Sequence, residues 1–141
     1  METGIKVGDC MKTALVTIDE NASVYDAATL IKKKNISGLF VTNARKEIYA
    51  VITDADIVKR AVAPKKMNAK VKDVASKPLV GIDASRDISD AAKLMGSRDV
   101  KRLVVFKQKK VAGIISVKDI IRISPSLYDL VAEKAAAQAA Y

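Results

Sequence analysis

Short runs of β-branched residues alternate with amphipathic segments along this chain, in an order that occurs twice. Residues 15–18 and 79–82 form two such runs, and each is followed by polar residues ending in a potential helix cap, Ser23 or Asp87. Apolar residues then recur at the three-and-four spacing of an amphipathic helix. They are Val24, Ala27, Ala28 and Ile31 in the first copy, and Ile88, Ala91, Ala92 and Met95 in the second.

Two further β-rich runs follow each of these helices and are joined by a charged turn. They cover residues 39–42 and 48–53 in the first copy, and residues 103–106 and 111–116 in the second. A second helix comes next, which we expect to end before Pro64 in one copy and before Pro125 in the other, because proline disfavours helix just before itself. Each copy therefore predicts the order strand, helix, strand, strand, helix.

The two copies are an internal repeat. A shift of 64 residues aligns residues 7–46 with 71–110, and after a one-residue slip at Glu47 it aligns 48–59 with 111–122. Sixteen of these 52 positions are identical, whereas unrelated sequences match at about one position in sixteen. We predict an α/β (α+β) protein with one repeat over residues 5–63, a linker over 64–70, a second repeat over 71–123 and a helical tail over 124–141.

The tail should begin a capped helix with Pro125 in its first turn. Leu127, Leu130 and Val131 then lie on one side of that helix. Apolar stripes usually pack against their own chain, so core packing is favoured over a partner-facing stripe that includes Tyr128.

The composition narrows the classes of partner. The chain has 141 residues, half of them hydrophobic, and a net charge of +9, which favours phosphates, nucleic acid or an acidic membrane surface. Two Phe, four Tyr and no Trp leave little material for stacking single-stranded nucleic acid. A small basic nucleic-acid-binding protein is therefore the alternative hypothesis rather than the first one.

Cysteine and histidine usage narrows the chemistry. Cys10 is the one cysteine, so no intramolecular disulfide forms, and no run of apolar residues has the length of a signal peptide or a membrane span. These features predict a cytoplasmic protein with no membrane partner. The absence of histidine removes the commonest general base and a usual zinc ligand, so we expect neither an enzyme nor a metal site or cofactor.

One motif occurs at the last strand-to-helix junction of each copy, as AVITDAD at residues 50–56 and GIISVKD at 113–119. Each has a small residue, two β-branched residues, a hydroxyl, two variable positions and an aspartate. The structural interpretation is a capping box, in which the hydroxyl and the aspartate satisfy free amides of the helix. The functional interpretation is a site for ribose or phosphate at a helix N-terminus that the backbone can approach closely.

The repeat, its opening segments VGDCM and VKDVA, and this motif resemble a tandem pair of CBS (cystathionine-beta-synthase) domains over residues 5–123. The resemblance implies two repeats packed sheet to sheet with pseudo-twofold symmetry, and two clefts that hold AMP, ADP, ATP or S-adenosylmethionine. It also implies a regulatory module that forms a homodimer. With no effector domain attached, the module is expected to regulate an enzyme or transporter in trans.

The resemblance also implies which residues bind. The run KRLVVF at residues 101–106 is similar to the AMP-sensing gamma subunits of the AMP-activated kinase, whose basic pair faces the nucleotide phosphate. The main cleft would then use Thr13, Ala14, Val16, Ile36, Ser37, Gly38, Lys101, Arg102, Ser116 and Asp119. The structural alternative for Lys101 and Arg102 is a solvated strand edge.

The second cleft would use Thr53, Asp56, Pro78, Leu79, Val80 and Val100. It departs from the family pattern, because Ala50 replaces the usual glycine and Ser37 and Gly38 stand where the basic pair would be. We therefore expect it to bind more weakly than the main cleft.

Overall fold

The computed structural model describes residues 2–77 and 79–132, which form two compact units. The middle unit contains residues 15–77 and Leu79. The terminal unit combines residues 2–14 with residues 80–132. The boundary at Ala14 means that the opening segment of the first sequence repeat belongs in space to the unit built by the second repeat.

The middle unit contains the first set of elements. They are β1 (Thr17–Asp19), α1 (Val24–Lys34), β2 (Gly38–Thr42), β3 (Ile48–Thr53), α2 (Asp54–Ile57), a π-helical turn (Val58–Val62) and α3 (Val71–Val74). Strand β1 pairs in parallel with β2, and β2 pairs antiparallel with β3. The result is a three-stranded sheet in the order β1-β2-β3.

The terminal unit contains the second set in the same order. A 3-10 turn (Val7–Asp9) precedes β4 (Gly81–Asp83), α4 (Ile88–Arg98), β5 (Arg102–Lys107), β6 (Lys110–Ser116), α5 (Val117–Ile123) and a second 3-10 turn (Pro125–Leu127). Its sheet has the order β4-β5-β6, again with one parallel and one antiparallel pairing. The mixed α/β class and the repeated element order are confirmed.

Helices α1 and α4 begin at their predicted caps. The Ser23 hydroxyl accepts a hydrogen bond from the Asp26 amide at 2.9 Å, and the Asp87 carboxylate accepts one from the Ser89 amide at 2.9 Å. Both helices end at a left-handed residue, Asn35 or Asp99. Asn and Asp tolerate this conformation better than other side chains, which explains why both helices stop after eleven residues.

The first strand of each unit is shorter than the sequence pattern predicts. Strands β1 and β4 start at Thr17 and Gly81, two residues later than expected. Before each start, one backbone hydrogen bond extends the ladder: Phe40 donates to the Val16 carbonyl at 2.9 Å, and Val104 donates to the Val80 carbonyl at 3.0 Å. Leu15 and Leu79, which precede Val16 and Val80, therefore lie outside the regular ladder.

The opening segments of the two repeats occupy equivalent places in different cores. Val7 is fully buried in the core of the terminal unit, and its amide donates to the Arg86 carbonyl at 2.8 Å. Val71, its counterpart in the repeat, is fully buried in the core of the middle unit, and its amide donates to the Ala22 carbonyl at 2.8 Å. Each core is thus closed by an opening segment.

The described part of the tail packs against the terminal unit. Leu127 is fully buried in that core, and Leu130 and Val131 contact it. Tyr128 is 52% exposed. Core packing of the tail is therefore confirmed as far as Ala132, and the rest of the predicted helix, residues 133–141, lies outside the described residues.

Candidate functional site

The terminal unit brings together five polar residues that we name the Asp119 site: Lys12, Lys101, Arg102, Ser116 and Asp119. The antiparallel register of β5 and β6 places Arg102 directly opposite Ser116. The Val117 amide donates to the Lys101 carbonyl at 2.9 Å. The predicted basic pair therefore lies beside the first turn of α5, where Ser116 caps the helix.

Asp119 is the buried carboxylate of this site, with 4% of its surface exposed. Its Oδ2 accepts hydrogen bonds from the Ser116 amide and the Ser116 hydroxyl, both at 2.9 Å. The Asp119 amide donates to the Ser116 hydroxyl at 3.3 Å, which completes a capping box. The structural interpretation of the motif is thus correct, but it accounts for only one of the two carboxylate oxygens.

The other oxygen faces the opening segment of the chain. Within the described residues, the contact recorded for Asp119 Oδ1 is the Lys12 ammonium at 3.8 Å. Lys12 reaches it because its amide donates to the Ile114 carbonyl at 2.8 Å, next to Gly113 on β6. Thr13 and Ala14 follow Lys12 as exposed residues of the same unit.

The middle unit contains the equivalent Asp56 site, which consists of Ser37, Gly38, Thr53, Asp56 and Ser76. Gly38 lies opposite Thr53 in the sheet, and the Asp54 amide donates to the Ser37 carbonyl at 2.9 Å. The Thr53 amide donates to Asp56 Oδ2 at 3.0 Å, and the Asp56 amide donates to the Thr53 hydroxyl at 3.1 Å. The backbone arrangement therefore repeats that of the Asp119 site.

Ser76 distinguishes the Asp56 site, and sequence reasoning missed it. Its hydroxyl donates to Asp56 Oδ1 at 2.9 Å, so both oxygens of this carboxylate accept hydrogen bonds from the protein. Ser76 arrives by an antiparallel bridge to Val51, as Lys12 arrives by a bridge to Ile114. The 64-residue shift aligns Lys12 with Ser76, and this alignment could have revealed the role of both.

The remaining predicted residues are divided between the units. Val16, Ile36, Ser37, Gly38, Thr53, Asp56 and Leu79 belong to the middle unit, and Thr13, Ala14, Val80, Val100, Lys101, Arg102, Ser116 and Asp119 belong to the terminal unit. Val16, Ile36, Leu79, Val80 and Val100 are half-buried. Pro78 lies outside the described residues.

Cys10 lies close enough to the Asp119 site to sense its charge. Burial raises the pKa of the Cys10 thiol above its usual value, and the negative charges of Asp9 and Asp119 raise it further. The thiol is therefore protonated at neutral pH and is a poor nucleophile. Cys10 thus adds no anionic group next to Asp119.

Two open depressions are lined by residues outside these two sites. One, of about 480 Å³, runs along β4 and α4 and includes Asp83, Arg86 and Asp90. The other, of about 410 Å³, includes Glu20, Tyr49 and Lys77. Burial and the hydrogen bond to Glu20 raise the pKa of Tyr49 to about 12, so this phenol stays neutral. Neither depression includes a residue predicted to bind.

A model of the CBS domain matches the chain twice, at residues 7–63 and 71–126. The chain belongs to the CBS domain family. Both matches end beyond the strand-to-helix junctions that carry Asp56 and Asp119. The resemblance inferred from the repeat and its motif is therefore confirmed, and the junctions described above are part of the family's domain.

A relative of this CBS protein is the uncharacterized protein MJ1404 of Methanocaldococcus jannaschii. It is 30% identical over 131 residues, which cover 83% of this chain but 31% of MJ1404. The chain thus spans about a third of the length of that relative.

None of the helices in the described residues is both long and apolar enough to cross a membrane.

Solved structures of CBS domain proteins share the fold. One is a CBS domain protein of Pyrobaculum aerophilum complexed with AMP, with a TM-score of 0.78, 22% identity and coverage of 91% of this chain and 99% of that one. Another is the CBS domain pair of protein MJ0100 in complex with 5′-methylthioadenosine and S-adenosyl-L-methionine. Its TM-score is 0.76, with 22% identity and coverage of 86% and 97%.

Proposed function

We propose that this CBS protein is a non-catalytic regulatory sensor that binds an adenosine-containing nucleotide at the Asp119 site. The observation that carries the proposal is the state of the Asp119 carboxylate. It is buried, one of its oxygens is held by Ser116, and the other meets the exposed side chain of Lys12. A carboxylate oxygen next to a movable side chain is available to accept hydrogen bonds from ribose hydroxyls.

The basic pair supports a phosphate next to that ribose. Lys101 and Arg102 are exposed, and Arg102 lies opposite the helix-capping Ser116. A guanidinium can bind two phosphate oxygens at once, and the N-terminus of a helix favours an anion. AMP is therefore the favoured ligand, and ADP, ATP and S-adenosylmethionine are the other candidates. The complexes of the neighbouring folds with AMP and with S-adenosyl-L-methionine support the adenosine part of the proposal.

The other predicted site residues keep the roles that the family resemblance implies for them. We propose that Thr13 and Ala14, which follow Lys12 in the terminal unit, contribute to the adenine side of the site. The contributions of Val16, Ile36, Ser37 and Gly38 stay predictions. So do the contributions of Leu79, Val80 and Val100 to the weaker site of Asp56.

The sensor is proposed to act as a cytoplasmic homodimer that regulates an enzyme or transporter in trans. A single cysteine fits a reducing compartment. Large apolar side chains that remain exposed, such as Val58, Val62 and Tyr25 on the middle unit, are available for a second copy. Binding would change the populations of conformations that differ in their affinity for the ligand, and no bond would be made or broken.

Titration calorimetry with adenosine, AMP, ATP, S-adenosylmethionine, GMP and a short DNA duplex tests the proposal. The Asp119→Ala variant should lose about 10- to 100-fold in affinity for adenosine and AMP alike, because hydrogen bonds to a charged acceptor disappear. The Arg102→Ala variant should lose affinity for AMP but not for adenosine, and the loss should shrink as salt rises. Asp56→Ala is the matched control and should cost less.

Two results would contradict this function. If folded Asp119→Ala and Arg102→Ala bind every nucleotide as the parent does, Asp119 is a structural cap and Arg102 is an edge charge. If the duplex binds more tightly than AMP, with an affinity that falls steeply with salt, the net charge of +9 serves nucleic acid instead. Each variant must first show an unchanged folded fraction, because removal of a cap costs about 1 kcal/mol.

A further inference from the structure

Lys12 has a backbone held by hydrogen bonds and a side chain that is largely exposed to solvent. Its amide donates to the Ile114 carbonyl at 2.8 Å, and its own carbonyl accepts from the Ile114 amide at 2.9 Å. A Cβ at Gly113 would come within 2.6 Å of that carbonyl, so the close approach of the two chains depends on glycine. The Lys12 side chain is nevertheless 64% exposed, so its ammonium can change partner without moving the backbone.

The Lys12 ammonium lies beside the Asp119 oxygen to which a ribose hydroxyl would donate. It lies 3.8 Å from Asp119 Oδ1, and Asp119 Oδ2 already accepts two hydrogen bonds from Ser116. A ligand hydroxyl that donates to Oδ1 therefore takes up negative charge that Lys12 now neutralises, and it weakens this ion pair. Ion pairs with an exposed lysine are weak, so a ligand can break this one at a small cost in free energy.

We propose that Lys12 is a specificity-determining residue that exchanges its partner when the ligand binds. Its ammonium moves from the Asp119 carboxylate to the phosphate of the ligand. This inference rests on the proposed function of the Asp119 site. With a phosphorylated ligand, the lost ion pair is replaced by a charge-assisted contact between ammonium and phosphate. With adenosine nothing replaces it, so the exchange selects phosphorylated adenosine ligands over the nucleoside.

The Asp56 site shows what the same position does without a charge. Ser76, the counterpart of Lys12, donates a hydrogen bond to Asp56 Oδ1 at 2.9 Å. A hydroxyl on a one-carbon side chain cannot follow a phosphate, whereas the flexible four-carbon stem of lysine can. Partner exchange is therefore a property of the terminal unit alone.

The Lys12→Met variant tests the exchange because it keeps the apolar stem and removes the charge. Calorimetry should show tighter binding of adenosine by about 2- to 5-fold, which corresponds to the loss of a weak competing ion pair. Binding of AMP should weaken by about 3- to 10-fold, because a contact to phosphate is lost. The opposite signs are the decisive result. Lys6→Met, an exposed lysine of the same opening segment, is the control and should change neither affinity.

A double variant and the parent protein distinguish a failure of the partner exchange from a failure of the proposed function. In an Asp119→Ala background, Lys12→Met should no longer tighten adenosine binding, because there is no ion pair to remove. Suppose that the parent binds AMP and that Asp119→Ala weakens this binding. If Lys12→Met then changes the affinities for adenosine and AMP in the same direction, or changes neither, the partner exchange is wrong and the Asp119 site is still supported. If the parent binds neither ligand, the proposed function and the exchange are both wrong.

Discussion

The Asp119 and Asp56 sites have the same backbone arrangement and the same capping box, yet they leave their carboxylates in different states. Asp119 is buried and faces an exposed lysine, whereas Asp56 is half-exposed and already accepts a hydrogen bond from Ser76. The difference comes from the opening segments and not from the motif. The aspartate of the motif thus caps a helix in both units, and the residue beside its second oxygen differs between them: Lys12 in one unit and Ser76 in the other. Under the proposed function, this residue would determine how well a ligand can use the aspartate.

The small residue of the motif also differs between the two units. Gly113 lies against the Lys12 carbonyl, where an added Cβ would come within 2.6 Å. Ala50, its counterpart, is fully buried and already carries a Cβ beside the Val51–Ser76 bridge. An added Cβ at Gly113 would therefore clash with the opening segment of the terminal unit, whereas the middle unit accommodates the Cβ of Ala50 beside its bridge.

The largest expected effect concerns a contact that the terminal unit has and the middle unit lacks. Leu127, from the tail, is fully buried in the terminal core. The 63-residue offset between residues 48–59 and 111–122, continued past them, places the exposed Pro64 at the equivalent position after the first repeat. Leu127→Ala should lower the free energy of unfolding by about 2–5 kcal/mol, because it removes buried surface and leaves a cavity. Urea denaturation followed by circular dichroism measures the change.

Tyr128→Ala is the matched control for the tail. Tyr128 is adjacent to Leu127 but 52% exposed, so its removal should change the free energy of unfolding by less than about 0.5 kcal/mol. Equal losses for the two variants would show that the tail is held by Tyr128 as much as by the core contact of Leu127.

The next largest effect comes from exchanging the small residues of the two motifs. Gly113→Ala should destabilise the protein by about 1–3 kcal/mol, since the new Cβ forces the Lys12 backbone away from β6. It should also weaken nucleotide binding, because Lys12 and Thr13 move with that backbone. Ala50→Gly should cost about 0.5–1 kcal/mol, the entropic effect of glycine in a strand. Thermal melts and calorimetry of both variants measure the contrast, and equal effects would contradict it.

The fold could be predicted from the sequence wherever one local pattern specifies an element. The caps at Ser23 and Asp87 and the apolar spacing behind them defined α1 and α4, and the β-rich runs defined β2, β3, β5 and β6. Helix α3 (Val71–Val74) was not predicted, because four residues are too few to show a periodicity.

The candidate site could be predicted only in part, since its decisive contacts are distant in sequence. Ser116 and Asp119 are three residues apart, so their capping box follows from the local motif. The contact between Lys12 and Asp119 joins residues on opposite ends of the chain, and it depends on the opening segment crossing into the unit of the second repeat. No local periodicity in the sequence predicts that this opening segment belongs to the unit of the second repeat. Ser76 was missed for the same reason.

A smaller effect is expected from removing the hydroxyl that occupies Asp56. Ser76→Ala should lower the free energy of unfolding by about 0.5–1.5 kcal/mol, the usual net value of one intramolecular hydrogen bond. The variant leaves Asp56 Oδ1 free to accept a hydrogen bond from a ligand. Calorimetry should then show adenosine binding at the Asp56 site that is stronger than in the parent, and an unchanged heat of binding there would mean that Ser76 is not what limits it.

The smallest expected effect on stability comes from the capping residues of α1 and α4. One of them, Asp87, carries an ionisable group, and the other, Ser23, does not. In the terminal unit, Asp87 accepts hydrogen bonds from the amides of Ser89, Thr3 and Gly4, at 2.9, 3.1 and 2.8 Å. The hydrogen bonds from Ser89, which have the largest effect, and those from Thr3 hold the pKa of Asp87 well below its usual value of 3.8. In the middle unit, Ser23 does the same capping without an ionisable group.

Asp87 should therefore make the terminal unit sensitive to acid in a way that Ser23 does not make the middle unit. A carboxyl whose pKa is lowered by folding stabilises the protein above its unfolded pKa, and that stabilisation is lost as pH falls through the lowered folded value. Asp87→Ser removes this titration and keeps a capping hydroxyl. Urea midpoints of parent and variant should differ most at about pH 6 and converge toward about pH 2. A difference that stays constant across this range would show that Asp87 acts only through its geometry, as Ser23 does.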